Sequence, residues 1–241
     1  MNNNTGRNKG ISTFLILVII LLVPGFLYFL LNKNGSNTYV TLPIFGEKEV
    51  PGTTHRKWGR DILDTIYHQV PSIKFLDVDG KEVAFLANDS IISVAHLMYS
   101  NDSSFSRNMV VSLDKVVERF VNNKKVHFYS ISVDPKHDTP ERLATYAKRF
   151  RPLNRKWHFV TAPQTDIFKF AKESLLVDAM PMPENDAKFI TSASFILLDS
   201  QGRIRGYYDI NMKPEVDRLE DEIKLLLVEE IRNKPLKIQQ K

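Results

Sequence analysis

The chain has 241 residues, 43% of them hydrophobic and 25% charged, with a formal net charge of +5; this is the composition of a globular protein that can bury its own core. Basic residues are interspersed with acids, as in Glu47-Lys48-Glu49, and no Lys/Arg stripe with interleaved aromatics occurs, which argues against nucleic acid as a partner. Cysteine is absent, and with it go a disulfide framework, a Cys-ligated metal site, a thiol nucleophile, a CxxC redox pair and a lipid-modified anchor.

Residues 1–10 form a short N-terminus carrying Arg7 and Lys9 and no acid. The uncharged run ISTFLILVIILLVPGFLYFLL follows over 11–31. At a helical rise of ~1.5 Å per residue it covers roughly the 30 Å hydrocarbon core, and it exceeds the ~7–15-residue apolar core of a secretory signal peptide. No small-x-small cleavage site comes after it, where Asn32-Lys33-Asn34-Gly35 stands. The expectation is an uncleaved, single-pass signal anchor, with Pro24 and Gly25 tolerated in lipid and Tyr28 near the outer interface. Arg7 and Lys9 outweigh Lys33, which places the N-terminus inside and the large domain on the extracytoplasmic side, periplasmic in a bacterium.

Residues 32–60 read as linker and extended lead-in, with Pro43, Gly46, Pro51 and Gly52 along the way. One α/β domain is expected over 61–234, followed by a tail at 235–241. Strands at 73–78 and 81–83 flank Asp79-Gly80, a hairpin signal. The apolar run at 90–100 has the composition of a strand buried on both faces. Val110, Leu113, Val116, Val117 and Phe120 fall at helical spacing within 105–122. A strand is expected at 126–133. A helix then opens at Thr139-Pro140, with Thr139 as N-cap, and runs through Arg149. A short strand at 157–161, a helix at 166–175 starting from an Asp cap, a hairpin of 193–199 with 203–208, and an amphipathic helix at 214–234 complete the order. An α/β unit that ends in an antiparallel hairpin covered by a helix fits a thioredoxin-like fold, a central mixed sheet flanked by helices.

The segment SISVDPKHDTPERLATYAKRF at 130–150 resembles the SCO/SenC family, in which a strand ending S-x-D-P is followed by a D-T-P turn and a helix. Here these are Ser132, Asp134 and Pro135, then Asp138, Thr139 and Pro140. The WHFVT strand at 157–161, the closing hairpin at 195–209 and the lead-in DTIYHQVP at 64–71 are similar to the family's in the same order, although Ala162 stands where the family has glycine. The resemblance spans about 41–227. Its motifs have structural reasons of their own. Pro135 turns the chain out of the strand, Asp138 and Thr139 can cap the helix that Pro140 starts, and Gly202 supplies the last turn.

The resemblance implies copper chemistry through two cysteines in C-x-x-x-C after the central strand and a histidine before the penultimate one, soft ligands that also permit disulfide exchange. This chain lacks all three. The cysteine places fall between Met98 and Ser106, near Met98 and Asp102 in one register, and the histidine place falls on Thr191. Substitute donors are His96 and Met98, two apart on one strand face, with Met180 and Met182 in a loop leading toward Thr191; the plainer reading makes His96 and Met98 core and the two loop methionines a packed lid. His137 reads as a surface histidine. No glycine-rich phosphate loop, HExxH motif or nucleophile elbow is present.

The expectation is therefore a non-catalytic member with no bound cofactor, anchored to the membrane and acting near cytochrome oxidase assembly. By the resemblance its partner would be an oxidase subunit, a cysteine-bearing paralogue or another maturation factor. Two alternatives stand beside it: a copper chaperone using the substitute Met/His site, and a thioredoxin-fold interaction protein unrelated to respiration. A peroxidase or reductase is disfavoured, because those reactions need a redox-active thiol or selenol.

Overall fold

The structure, a computed structural model, describes residues 6–34, 41–57, 60–86, 90–101, 105–150, 156–183 and 185–233. The expected tail at 235–241 lies outside them. Two compact units divide at Val40 and Thr41.

The first unit contains helix α1, Gly6–Asn34, with Pro24 inside it. It covers the whole of 11–31, and Phe14, Ile16, Leu17 and the large side chains from Ile19 to Leu30 are exposed. Side chains are described without a break only over 16–30 of this helix, and among the described residues no helix is long and apolar enough to cross a membrane.

The second unit begins at Thr41. Part of the reason is that the lead-in packs: Leu42 is buried in the core. Strands β1 (Lys48–Glu49) and β4 (Ile66–Tyr67) pair, and β2 (Thr54–Lys57) pairs with β3 (Arg60–Leu63), both antiparallel. There follow β5 (Ile73–Asp77), β6 (Glu82–Phe85), β7 (Ile92–Met98), α2 (Phe105–Arg119), β8 (Val126–Ser132), α3 (Pro140–Ala147), β9 (Trp157–Thr161) and α4 (Ile167–Lys169). The chain closes with a π-helical turn Phe170–Leu175, β10 (Ala179–Met182), β11 (Asn185–Thr191), β12 (Ser194–Leu198), β13 (Ile204–Asp209) and α5 (Lys213–Asn233).

Seven strands form one mixed sheet in the order β13-β12-β7-β8-β9-β5-β6. The β7–β8 and β8–β9 pairs are parallel and the others antiparallel. Alternation along each strand feeds two cores. Val94, Met98, Phe128, Phe159 and Phe195 meet α2, α3 and α5 on one face. Leu97, Tyr129, Ile131, Val160 and Ile196 meet α4 and the π-turn on the other. Every residue of β7 is buried, as expected for a central strand covered on both faces. Gly202 does supply the last turn: its φ is +76°, and a Cβ there would lie 2.9 Å from the Val70 carbonyl oxygen.

Two expectations need correction. The helix expected at 166–175 is present and Asp166 caps its start, accepting from Lys169 N at 3.1 Å, but its second half widens to a π-turn. There His68 Nε2 donates to the Ser174 carbonyl at 2.8 Å and the Tyr207 hydroxyl to the Leu175 carbonyl at 3.0 Å, so outside donors satisfy the terminal carbonyls. The segment holding Met180 and Met182 is not a loop but β10 of a hairpin with β11. Proline at 181 masked the strand signal.

Candidate binding site at the carboxyl ends of the parallel strands

Where β7 and β8 end, the chain must leave the sheet without stranding its polar groups. Asp138, 1% exposed, solves this. Its carboxylate accepts from Ser100 N at 3.0 Å, from the Ser100 hydroxyl, and from the Ser132 hydroxyl at 2.5 Å. Arg142 Nε donates to Ser100 Oγ at 3.0 Å and lies 3.9 Å from Asp138. This corrects the capping assignment: Thr139 alone caps α3, accepting from Arg142 N, while Asp138 turns inward and ties the exit of β7 to the start of α3.

Asp134, also buried, receives a different partner. His137 Nδ1 lies 2.9 and 2.8 Å from its two carboxylate oxygens. The His137 side chain is 55% exposed, so it is a surface histidine as expected, but one committed to an acid. The S-x-D-P-x-x-D spacing held this information, since it returns the second acid to the strand end.

Beside this turn lies a cleft of about 400 Å³ lined by Val133, Asp134, Pro135, Lys136, His137, Thr165, Asp166, Ile167, Phe168, Pro181 and Phe189. Phe168 and Phe189 stack across it with ring centroids 6.0 Å apart, and Tyr99 meets Phe189 edge-on at 5.2 Å. An apolar floor with a few polar groups at the carboxyl ends of parallel strands is where α/β proteins place binding sites. Pro181 and Phe189 come from the unexpected hairpin.

The candidate donors are not brought together. His96 and Met98 are both 0% exposed and face the α2–α5 core, as the plainer reading held. His96 Nε2 lies 2.7 Å from the Ser130 hydroxyl, which also accepts from Trp157 Nε1 at 3.0 Å; burial pushes the imidazole down to about 3, so it stays neutral. Met180 and Met182 are 48% and 37% exposed, on a hairpin that packs Ala179 and Phe189 against the opposite core. They form no packed lid, and the sheet separates them from the other pair. Thr191 ends β11 opposite Ala179, half-buried. Asp102, Ser103 and Ser104 lie outside the described residues.

These residues do not fit the copper coordination that the resemblance implies. The chain holds no thiolate, Met98 is sealed in the core, and Thr191 offers a hard hydroxyl to a soft ion. Among the described residues no three His, Asp or Glu side chains gather to hold a metal ion.

Residues 68–226 match the SCO1/SenC family. A SCO1 protein homolog of Bacillus subtilis (strain 168) is 25% identical over 166 residues, covering 68% of this chain and 86% of its own. Among solved structures, a SCO1/SenC family lipoprotein from Bacillus anthracis str. Ames superposes with TM-score 0.59 at 24% identity, over 66% of this chain and 95% of its own. Yeast Sco1 with copper bound gives TM-score 0.54 at 20% identity, over 70% and 96%. At these identities the structural likeness establishes the shared thioredoxin-like fold.

Proposed function

The chain belongs to the SCO1/SenC family, and on that ground we propose that it is a membrane-anchored, non-catalytic docking member working beside cytochrome c oxidase assembly. One observation carries the reading: the strand-end clamp of Ser100, Ser132 and Asp138 is complete in a chain with no cysteine. Such a scaffold can present a surface but cannot exchange thiols or hold copper through thiolates. The link to oxidase assembly comes from relatives, one of them described as a member of the Sco family of cytochrome c oxidase assembly proteins. Enzymatic activity is not part of the proposal.

The anchor is proposed from α1. The uncharged run 11–31 within it spans roughly 31 Å at helical rise, and a stretch so uniformly apolar needs lipid or protein around it. With the N-terminus inside, the folded unit lies on the extracytoplasmic side. Carbonate extraction of membranes should leave the chain in the pellet; release into the supernatant would remove the anchor from the reading.

The partner proposed is an oxidase subunit, a cysteine-bearing SCO1/SenC paralogue or another maturation factor. Affinity purification of the full chain from solubilised membranes should recover one of them, and recovery should weaken when Phe189→Ser opens the cleft floor. A clean purification that recovers none would remove the respiratory assignment and leave the fold standing.

A further inference from the structure

At the other end of the parallel strands, away from the cleft, two histidines meet. His127 of β8 and His158 of β9 lie on the face of the second core, because Tyr129 is opposite His158 in the register and two residues from His127. His127 Nδ1 and His158 Nε2 are 3.3 Å apart. The rings are nearly parallel, at 23° with centroids 5.4 Å apart, and Tyr129 stacks on His158 at 5.0 Å. Both imidazoles are half-buried, so solvent reaches them. They take no part in the strand-end clamp or the cleft.

Their surroundings are polar for an edge of a core. Ser93 stands opposite His127 in the register, is 1% exposed, and its Oγ has no hydrogen-bond partner among the described residues. The negative charge of Asp77 acts on His158. The ammonium of Lys156 opposes a cation at His127, although it donates to the carbonyls of Val121 and Asn123 at 2.9 and 2.8 Å. Burial pushes both imidazoles down, His158 to about 4, so at neutral pH each is in the form that ligates metals.

We propose that the His127–His158 pair binds a divalent transition-metal ion of the zinc or nickel type, in place of the proton the two rings share. Two imidazole nitrogens at roughly 2.05 Å from a tetrahedral ion lie about 3.3 Å from each other, the spacing already present. Holding the ion requires the two rings to tilt until both lone pairs point to one place between them. Among the described residues no third His, Asp or Glu side chain completes the shell, so the ion keeps water in its remaining places. Ser93 and Asp77 are the nearby groups able to hold that water. A site with two protein ligands is open and exchangeable, and it is independent of the docking reading above.

The test is calorimetric titration of the full chain in detergent with zinc chloride and with nickel chloride at neutral pH. One ion per chain is expected, with affinity lost in His127→Gln/His158→Gln. Long-range nitrogen–proton spectra of the wild-type chain give a readout that needs no variant: zinc should shift the ring nitrogens of His127 and His158 and leave His96 and His137 in place. No binding by the wild-type chain, undiminished binding by a folded double variant, or shifts confined to other histidines would each overturn the proposal.

Discussion

Asp138 and Asp199 are both buried acids, and they sit at opposite ends of the central strand β7. Asp138 stands beyond its carboxyl end. Asp199 follows Leu198, which pairs with Ser93 near the amino end. Their partners differ in kind. Asp199 is held by two guanidinium groups: Arg203 Nε at 2.7 Å and Arg205 Nη1 at 3.1 Å. Arg205, 1% exposed, also donates to Glu229 at 2.8 Å and to the carbonyls of Leu42 and Pro43 at 2.7 and 3.1 Å. One end of the sheet is thus fastened by charge that joins lead-in, closing hairpin and terminal helix. The other is fastened by hydroxyls and an amide around one carboxylate, which the half-exposed Arg142 approaches only to 3.9 Å, and there the family's ligands are missing. Charge at the first end secures stability; neutral donors at the second secure the shape of a loop.

The comparison would be tested hardest by Arg205→Met, which fills the volume but leaves Asp199 and Glu229 without their shared cation. A loss of about 3–5 kcal/mol in denaturant unfolding is expected; a loss below about 1 kcal/mol would mean the charged end is not the stronger. Asp138→Asn should cost less, about 1.5–3 kcal/mol, since one carboxylate oxygen accepting from hydroxyl and amide is replaced by a donor. If its cost equals that of Arg205→Met, the two ends do not differ as argued. Thr139→Ala removes only the α3 cap and should cost about 1 kcal/mol, read from the same unfolding curves.

A pH series separates the histidines from both ends. His158 is pushed down to about 4, His96 to about 3, and His127 is also lowered, each mainly by burial. The unfolded chain therefore takes up protons first as pH falls below about 6.5, and stability should drop between about pH 6.5 and 3 while staying flat above 7. His158→Gln should flatten part of that slope. An unchanged slope in this variant would show that His158 is not held neutral by the fold.

Much of this fold was legible in the sequence because its signals are local. Alternation marked β8, the apolar run marked β7, and Thr139-Pro140 marked the start of α3. What escaped depended on contacts between distant residues. The β10–β11 hairpin carries Pro181 and an irregular register between Pro181 and Met182, so no strand periodicity announced it. The π-turn depends on His68, some 106 residues away from Ser174. The role of Arg205 carried no local signal, because its partners at Leu42 and Glu229 lie 163 and 24 residues off. At the site, the loss of thiols was plain from composition, whereas the inward turn of Asp138 and the separation of His96 and Met98 from Met180 and Met182 needed the two faces of the sheet.

The central claim is that a SCO1/SenC scaffold here docks and does not carry copper. Anaerobic titration of the full chain with Cu(I), in competition with a chromophoric chelator, tests it most directly. The chelator should keep the copper, with any binding to the protein no tighter than roughly micromolar. A one-to-one complex that strips Cu(I) from the chelator, and that is lost in Met180→Leu/Met182→Leu or in His96→Gln, would contradict the account.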